Sequence, residues 1–288
     1  MTVELLIQLL VSGLGMGFIF ALIAIGLALI YGVMGVVNFA HGEFLMLSMY
    51  ATYFAFALGG LDPLVSLPFV ALAMFGFGVA VYYLLMRKVI GGATHAEIFA
   101  TFGLMVFMQA AAQFLFGADY FSIDHSLLSG SWRVGGITLP MPQIAAAAGA
   151  LICTAGLYAL VFRTELGRAL RAVSQDRVAA LTMGIDADRI NALSWGLASA
   201  CVGVAGSLLA NFYYVFPRVG AVFVLIAYVT VALGGFGSMS GALVAGVIIG
   251  VLQVISGLFV ASTLKFVPVY VLYLAVVLLR PRGLLGRL

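Results

Sequence analysis

The chain has 288 residues, of which 65% are hydrophobic and 8% are charged, and its formal net charge is +3 at pH 7. Soluble domains carry roughly 45–50% apolar and about 25% charged residues, so this composition excludes a soluble globular protein. In a membrane protein a small excess of basic residues reports orientation, and no nucleic-acid partner is predicted.

Long, continuous apolar runs follow one another along the whole chain. A membrane crossing needs roughly 20 apolar residues, and continuous runs are typical of helices rather than of barrel strands. We therefore predict an all-α polytopic membrane protein, with about nine (eight to ten) transmembrane helices in one bundle spanning residues 1–288. The runs cover residues 5–31, 42–59, 64–86, 97–117, 141–162, 191–212, 222–236, 240–260 and 265–280.

Close helix packing is predicted by three pairs of glycines four residues apart, in or next to these runs. The pairs are Gly13 with Gly17, Gly237 with Gly241, and Gly246 with Gly250. Small residues at this spacing let two membrane helices approach closely. We interpret these glycines as packing positions, because no soluble βαβ unit surrounds them as a dinucleotide-binding loop would require.

Asn38, His41 and Glu43 lie together between the first two apolar runs. Ionisable groups at membrane depth are costly, and they often mark a transport path, so these residues are candidates for a pathway or a gate. In a second interpretation they lie at the cytoplasmic end of the first hairpin and reach water. Asn38 would then cap the second helix, and Glu43 would favour the positive end of its dipole. We favour capping over direct solute contact, although a broken helix at this point stays open.

Gln109 and Gln113 lie one helical turn apart in the fourth apolar run. On one helix face they predict either hydrogen bonds between helices or the lining of a pathway. A metal site is not predicted, because His41 and Glu43 lack further ligands nearby and the two cysteines, Cys153 and Cys201, lie inside apolar runs.

Ten of the thirteen lysines and arginines form three clusters, which the positive-inside rule places in the cytoplasm. The remaining three and the loop at 118–140 then face the periplasm, which predicts a multi-pass protein of a bacterial inner membrane. The clusters are Arg87 and Lys88; Arg163, Arg168, Arg171, Arg177 and Arg189; and Arg280, Arg282 and Arg287.

The cytoplasmic loop at 163–189 holds nine of the 23 charged residues. Within it, the residues of one mainly apolar stripe recur at three- and four-residue steps, which predicts a helix that ends at Gly184. Spacing alone leaves two interpretations open: the helix docks on a partner, or it lies along the membrane interface. The stripe consists of Leu166, Leu170, Val173, Arg177 and Leu181.

No GxxxxGK[ST] phosphate-binding loop occurs, and no pattern of an intramembrane hydrolase is present. The chain is therefore not predicted to be an enzyme. If transport is driven by ATP, the ATPase must be another subunit that grips a cytoplasmic loop, and 163–189 is the sizeable candidate.

Several parts of the sequence resemble LivH-like permeases of the branched-chain amino acid ABC importers, nearly from end to end. They are GLALIYGVMGVVNFAHGEFLML at 26–47, TELGRALRAVSQDRVAALTMGID at 164–186, VALGGFGSMSGALVAG at 231–246 and LLRPRGLLGR at 278–287. The resemblance implies a second, LivM-like permease, two cytoplasmic ABC ATPases that use ATP and Mg, and a periplasmic substrate-binding protein. No cofactor is expected in this chain itself.

The resemblance also implies where the ATPase is engaged. Ala179, Ala180 and Gly184 are similar to the Ala-Ala-x-x-x-Gly core of the ATPase-engaging loop, although the Ile-x-Leu-Pro continuation is missing. An ion-coupled secondary transporter, or a channel for a small polar solute such as urea or amides, is the competing function. The residues expected to couple to the ATPase are Gly167, Arg168, Arg171, Asp176, Arg177, Ala179, Ala180, Gly184 and Ile185.

Overall fold

The computed structural model describes residues 3–92, 95–124, 126–134, 136–259 and 264–286. The helices are α1 (Val3–Met34), α2 (His41–Gly59), α3 (Pro63–Val81), α4 (Arg87–Val89), α5 (Ala96–Phe116), α6 (Met141–Arg163), α7 (Glu165–Gln175), α8 (Arg177–Thr182), α9 (Ala187–Leu209), α10 (Val219–Gly234), α11 (Met239–Phe259) and α12 (Val267–Leu279). A π-helical turn, Tyr82–Met86, joins α3 to α4, and the strands are β1 (Ser131–Val134) and β2 (Ile137–Pro140).

The predicted apolar runs lie mainly in helices, with some of their ends in turns, but the predicted count of about nine crossings is not confirmed. Six helices in the described part of the chain are long and apolar enough to cross a membrane: α1, α3 continued through α4, α5, α6, α9 and α11. The 16 residues of α10 span about 24 Å, and the 13 residues of α12 span less, whereas the hydrocarbon core is about 30 Å thick. Residue 260, at the end of one predicted run, and Arg287 lie outside the described residues.

The fold is not purely helical. Within the loop at 118–140, β1 and β2 form an antiparallel hairpin in which Ser131 pairs with Pro140 and Val134 with Ile137. The apolar-run pattern could not reveal these strands, because each is only four residues long. The hairpin lies beside the start of α1, close to where α6 begins.

Helix α1 forms the centre of the bundle, and residues 19–30 of it are buried throughout. It runs antiparallel to α11, and the two backbones nearly touch. A Cβ on Gly13 would lie 2.8 Å from the Cα of Val251, and one on Gly17 would lie 2.8 Å from the Cα of Val247. The prediction that these glycines permit close packing is confirmed.

Two groups of four helices make matching contacts. The first group is α1, α2, α3 and α5, and the second is α9, α10, α11 and α12. In the first group α1 packs against α11 of the second, and correspondingly α9 of the second packs against α3 of the first. In the same way α2 contacts α9 and α3, while α10 contacts α1 and α11. Because α1 and α9 run in opposite directions, the arrangement is an inverted repeat.

The sequence carries traces of this repeat. The ends of α2 and α10 both read Ala-Leu-Gly-Gly, at 57–60 and at 232–235. Each of these helices is also preceded by Asn-Phe, at 38–39 and at 211–212. Both Gly60 and Gly235 have positive φ angles, of 63° and 106°, so each glycine permits a sharp turn into the next helix.

The basic clusters meet at one end of the bundle. Arg87 forms an ion pair with Asp188 at 2.8 Å, which joins the start of α4 to the start of α9. The C-terminal segment folds back onto the end of α10, where the N–H of Leu284 donates to the carbonyl oxygen of Leu233 at 2.8 Å. The opposite end carries the hairpin, and there Phe121 and Val215 form an isolated β-bridge.

Candidate functional site

Helix α2 begins inside the bundle rather than at its end. After α1 the chain turns at Gly35, whose φ is +67°, and runs back along α1 in non-helical conformation. The ring of His41 meets the carbonyl oxygen of Ile23 at 2.9 Å, and since a carbonyl only accepts, Nε2 is the donor. Ile23 lies eleven residues before Met34, the end of α1, which is about 16 Å along a helix.

Asn38, His41 and Glu43 are fully buried, each with 0% exposure. The prediction that they reach water at the cytoplasmic end is therefore wrong. Asn38 is not the N-cap of α2, since Ala40 occupies that position. The Oδ1 atom of Asn38 instead accepts from the N–H of Ala40 at 3.0 Å and stabilises the turn before the helix. Glu43 does lie in the first turn of α2, as predicted.

Glu43 and Gln109 are joined by a hydrogen bond. The Nε2 atom of Gln109 donates to Oε1 of Glu43 at 2.7 Å, so α5 is linked to the start of α2 near the middle of its own length. Gln113 does not share this contact and is exposed, although it lies only one turn away. Of the two predicted glutamines, the structure brings only Gln109 to Glu43.

Helix α10 also begins inside the bundle, and its first turn meets that of α2. Gly42 and Gly220 are the second residues of their helices, and a Cβ on either would overlap the carbonyl oxygen of the other. The partially positive ends of two helices thus converge where Glu43 lies. From this point α2 and α10 run toward opposite ends of the bundle.

Several buried polar atoms of this segment have no hydrogen-bond partner in the part of the chain that the structure describes. They are Nδ2 of Asn38, Nδ1 of His41 and Oε2 of Glu43. An unpaired buried polar atom costs about 1–3 kcal/mol in proteins, so retained ones call for a reason such as function or bound water. The unpaired atoms and the interrupted helices together make this junction the candidate site within the membrane.

The predicted coupling helix is two helices, α7 and α8, with a break at Asp176. Asp176 has an extended backbone, with φ of −152° and ψ of 105°, so the prediction of a single helix that ends at Gly184 is wrong. The break has a clear cause, because Oδ1 of Asp176 accepts from the N–H groups of Val178 at 2.8 Å and Ala179 at 3.0 Å. Asp176 therefore caps α8 rather than facing a partner freely.

Gly184 ends α8 as predicted. Its φ of +81° is left-handed, and its N–H donates to the carbonyl oxygen of Leu181 at 3.0 Å. The N–H of Ile185 reaches back to the carbonyl oxygen of Ala180, also at 3.0 Å. These two bonds form a Schellman motif, which fixes the exit direction of the chain.

The predicted coupling residues divide into buried and exposed sets. Gly167 and Ala180 are buried within the chain, and Gly167 allows α7 to cross tightly over the end of α6. Arg168, Arg177 and Ala179 are exposed, whereas Arg171 is half-buried. The outer apolar surface of this region, which we call the α8 face, consists of Val178, Leu181 and Met183, which are 72%, 52% and 81% exposed.

Comparison with known proteins agrees with these features. Residues 9–279 match the family model described as the permease component of branched-chain amino acid transport systems. The chain belongs to this family. The permease is 32% identical to BraD, a high-affinity branched-chain amino acid transport permease of Pseudomonas aeruginosa, over 98% of its own length and 96% of that protein. It is 30% identical to LivH of Escherichia coli over the same shares, and no solved structure matches it significantly.

Sequence reasoning about the permease missed Gly220, because an isolated glycine at the start of an apolar run has no distinctive pattern. The repeated Asn-Phe and Ala-Leu-Gly-Gly sequences were the available signal. Gly220 lies eight residues after the second Asn-Phe, whereas Gly42 lies three residues after the first. A search for internal repeats would have related the two helix starts.

Proposed function

We propose that this chain is the membrane-spanning permease subunit of an ATP-driven importer for branched-chain or other hydrophobic amino acids, in a bacterial inner membrane. The family match over residues 9–279 is the observation that carries this proposal. It is supported by relatives named as branched-chain amino acid permeases over nearly their whole length. The chain forms one permease domain over 1–288.

The complete importer would contain a second, LivM-like permease, two cytoplasmic ABC ATPases that bind ATP and Mg, and a periplasmic substrate-binding protein. Hydrolysis belongs to the ATPases, because this chain has no phosphate-binding loop. The ATPases would engage the α8 face, which protrudes at the end of the bundle that carries most basic residues. The cap of Asp176 and the Schellman turn at Gly184 make α8 a short, rigid element that can transmit force.

The junction of α2 and α10 is proposed to border the transport path. Interrupted helices and unpaired polar atoms at membrane depth are typical of sites that solutes or water approach. Asn38, His41 and Glu43 would act there as a gate, with Gln109 holding Glu43 in position. The nine helices of the predicted bundle would then include α2, α10 and α12, with α2 and α10 starting at mid-depth.

The test is uptake by the assembled importer in proteoliposomes. The permease, its partner permease and the ATPases are reconstituted with the binding protein outside, and labelled leucine uptake is measured with and without ATP inside. Uptake that needs both ATP and the binding protein supports the proposal. Uptake driven by an ion gradient without ATP would instead identify an ion-coupled transporter, for which the buried Glu43 would be the coupling acid.

A further inference from the structure

A cavity of about 490 Å³ opens at the end of the bundle that carries the basic clusters. It is bounded by the ends of α1 and α6, by α7, and by the turn between α10 and α11. The cavity lies apart from the junction of α2 and α10. None of the functions proposed above uses it.

The two walls of this cavity differ in chemistry. The inner wall is apolar and includes Leu29, which is 5% exposed, and Val161, which is 4% exposed. The mouth is polar and is lined by Arg171, Ser174 and Ser240. An apolar interior with a polar mouth fits a molecule that has a hydrocarbon chain and a polar head.

Arg171 gives the mouth a positive charge, and no carboxylate of the described residues forms an ion pair with it. The ion pairs in the described part of the chain join other arginines to Asp188, Glu165 and Asp186. The Nε atom of Arg171 donates to the carbonyl oxygen of Gly167 at 3.3 Å, and its guanidinium carbon lies 5.3 Å from the centre of the Phe162 ring. The side chain is therefore held at both sides while its two Nη groups stay available.

The opposite side of the mouth adds hydrogen-bond donors. Helix α11 starts there at Met239, and its first N–H groups have no partners within the helix. The hydroxyl of Ser238 accepts from the N–H of Gly241 at 3.1 Å and lies 3.5 Å from the hydroxyl of Ser240, and the N–H of Ser238 donates to the carbonyl oxygen of Gly235. The N–H groups of Met239 and Ser240 remain at the mouth. Among the described residues that line the cavity there is no Asp or Glu. Both sides thus favour an anion.

We propose that this cavity binds the phosphate headgroup of an anionic phospholipid from the adjacent leaflet. The phosphate would be bound by the Nη groups of Arg171, and an acyl chain would follow the apolar wall beside Leu29 and Val161. Basic pockets between membrane helices on the cytoplasmic side are known to suit such headgroups. The bound lipid would connect α7 to the turn before α11, so it would steady the element that precedes the α8 face.

The experiment uses the delipidated importer complex in detergent, titrated with dioleoylphosphatidylglycerol and followed by native mass spectrometry. Arg171→Gln removes the charge from the mouth, and Ser174→Leu partly fills the mouth without changing charge. Arg168→Gln is the matched control, because it removes the same charge from the same helix outside the cavity, where Arg168 pairs with Glu165. Glycerol phosphate, which lacks acyl chains, is titrated in parallel.

We expect Arg171→Gln to weaken lipid binding about tenfold or more, because charge-assisted hydrogen bonds to the phosphate are lost. Ser174→Leu should also weaken lipid binding, because its larger side chain obstructs the mouth, while Arg168→Gln binds like the wild type. Equal lipid affinity in Arg171→Gln and Arg168→Gln would overturn the site. Binding of glycerol phosphate as tight as that of the lipid would overturn the lipid as the source of the phosphate.

Discussion

Gly42 and Gly220 press against each other where the first turns of α2 and α10 cross, and neither position has space for a Cβ atom. A Cβ atom added at either glycine would overlap the backbone of the other. That backbone cannot move aside as a flexible side chain can. The crossing therefore fixes how closely the two interrupted helices approach. It also fixes the place of Glu43, whose Oε2 would lie 2.9 Å from a Cβ on Gly220.

We predict that Gly42→Ala and Gly220→Ala each destabilise the protein by about 1–3 kcal/mol or more, because overpacking forces the helices apart. Thermal unfolding of the purified permease in detergent measures the effect. Gly156→Ala in α6 is the control, since nothing lies within 4 Å of its added carbon. That variant should be neutral or slightly more stable, and equal losses in all three variants would contradict the tight crossing.

Glu43 and Gln109 are predicted to be energetically coupled. Glu43→Leu and Gln109→Leu should each cost about 1–3 kcal/mol, because each leaves the other polar group without its partner. The double variant should lose less than the sum of the two, which a double-mutant cycle of unfolding free energies measures. Gln113→Leu, one turn away and exposed, should change stability by less than about 0.5 kcal/mol and show no coupling to Glu43.

Orientation can be checked by cysteine labelling. In a variant whose Cys153 and Cys201 are replaced by alanine, exposed cysteines placed at Lys88 and Arg168 should react only with cytoplasmic reagents. A cysteine placed at Ser129 should react from the periplasm, because the loop at 118–140 lies at the opposite end of the bundle from the basic clusters. Cytoplasmic labelling at Ser129 would overturn the topology.

The helices and the grouping of basic residues followed from the sequence because both depend on local composition. Gly184 was also predictable, since a left-handed helix end favours glycine. The break at Asp176 was missed because the apolar stripe continues across it, and a stripe reports one face rather than the continuity of the backbone. The preference of aspartate for the N-cap position, where it accepts from the N–H groups that follow, was the local signal that competed with the stripe.

The depth of Glu43 could not be predicted from its own neighbourhood. The residues of 38–43 are typical of a helix start, and a helix start is usually found at a membrane surface. Here α2 starts in the interior because Gly220, far along the chain, lets α10 meet it, and because His41 bonds to the backbone of α1. Such a tertiary relationship has no local sequence pattern.

Gly184→Ala tests whether the end of α8 matters to coupling. Alanine at a φ of +81° costs about 1–2 kcal/mol, so the Schellman turn should loosen while the membrane helices remain folded. We expect reduced stimulation of ATP hydrolysis by the loaded binding protein. Gly184→Asn, which tolerates the left-handed conformation better, should retain more stimulation. Equal loss in both variants would indicate that the turn geometry is not what matters.

The α8 face is predicted to bind the ATPase through its exposed apolar side chains. Leu181→Glu and Met183→Glu place a charge on a surface that would be desolvated on docking, so the ATPase should dissociate while the permease still inserts. Co-purification of the ATPase with the permease pair from membranes, together with leucine uptake, gives the readout.

Two controls separate docking from folding. Lys88→Gln removes a charge from α4, at the same end of the bundle but outside the α8 face, and should retain the ATPase. Ala180→Arg, at a position that is 4% exposed, should instead lower the amount of folded permease, because Ala180 packs within the chain. If Leu181→Glu and Met183→Glu both kept the ATPase and normal uptake, the helix pair would be an interfacial anchor and the coupling role assigned to it would be wrong.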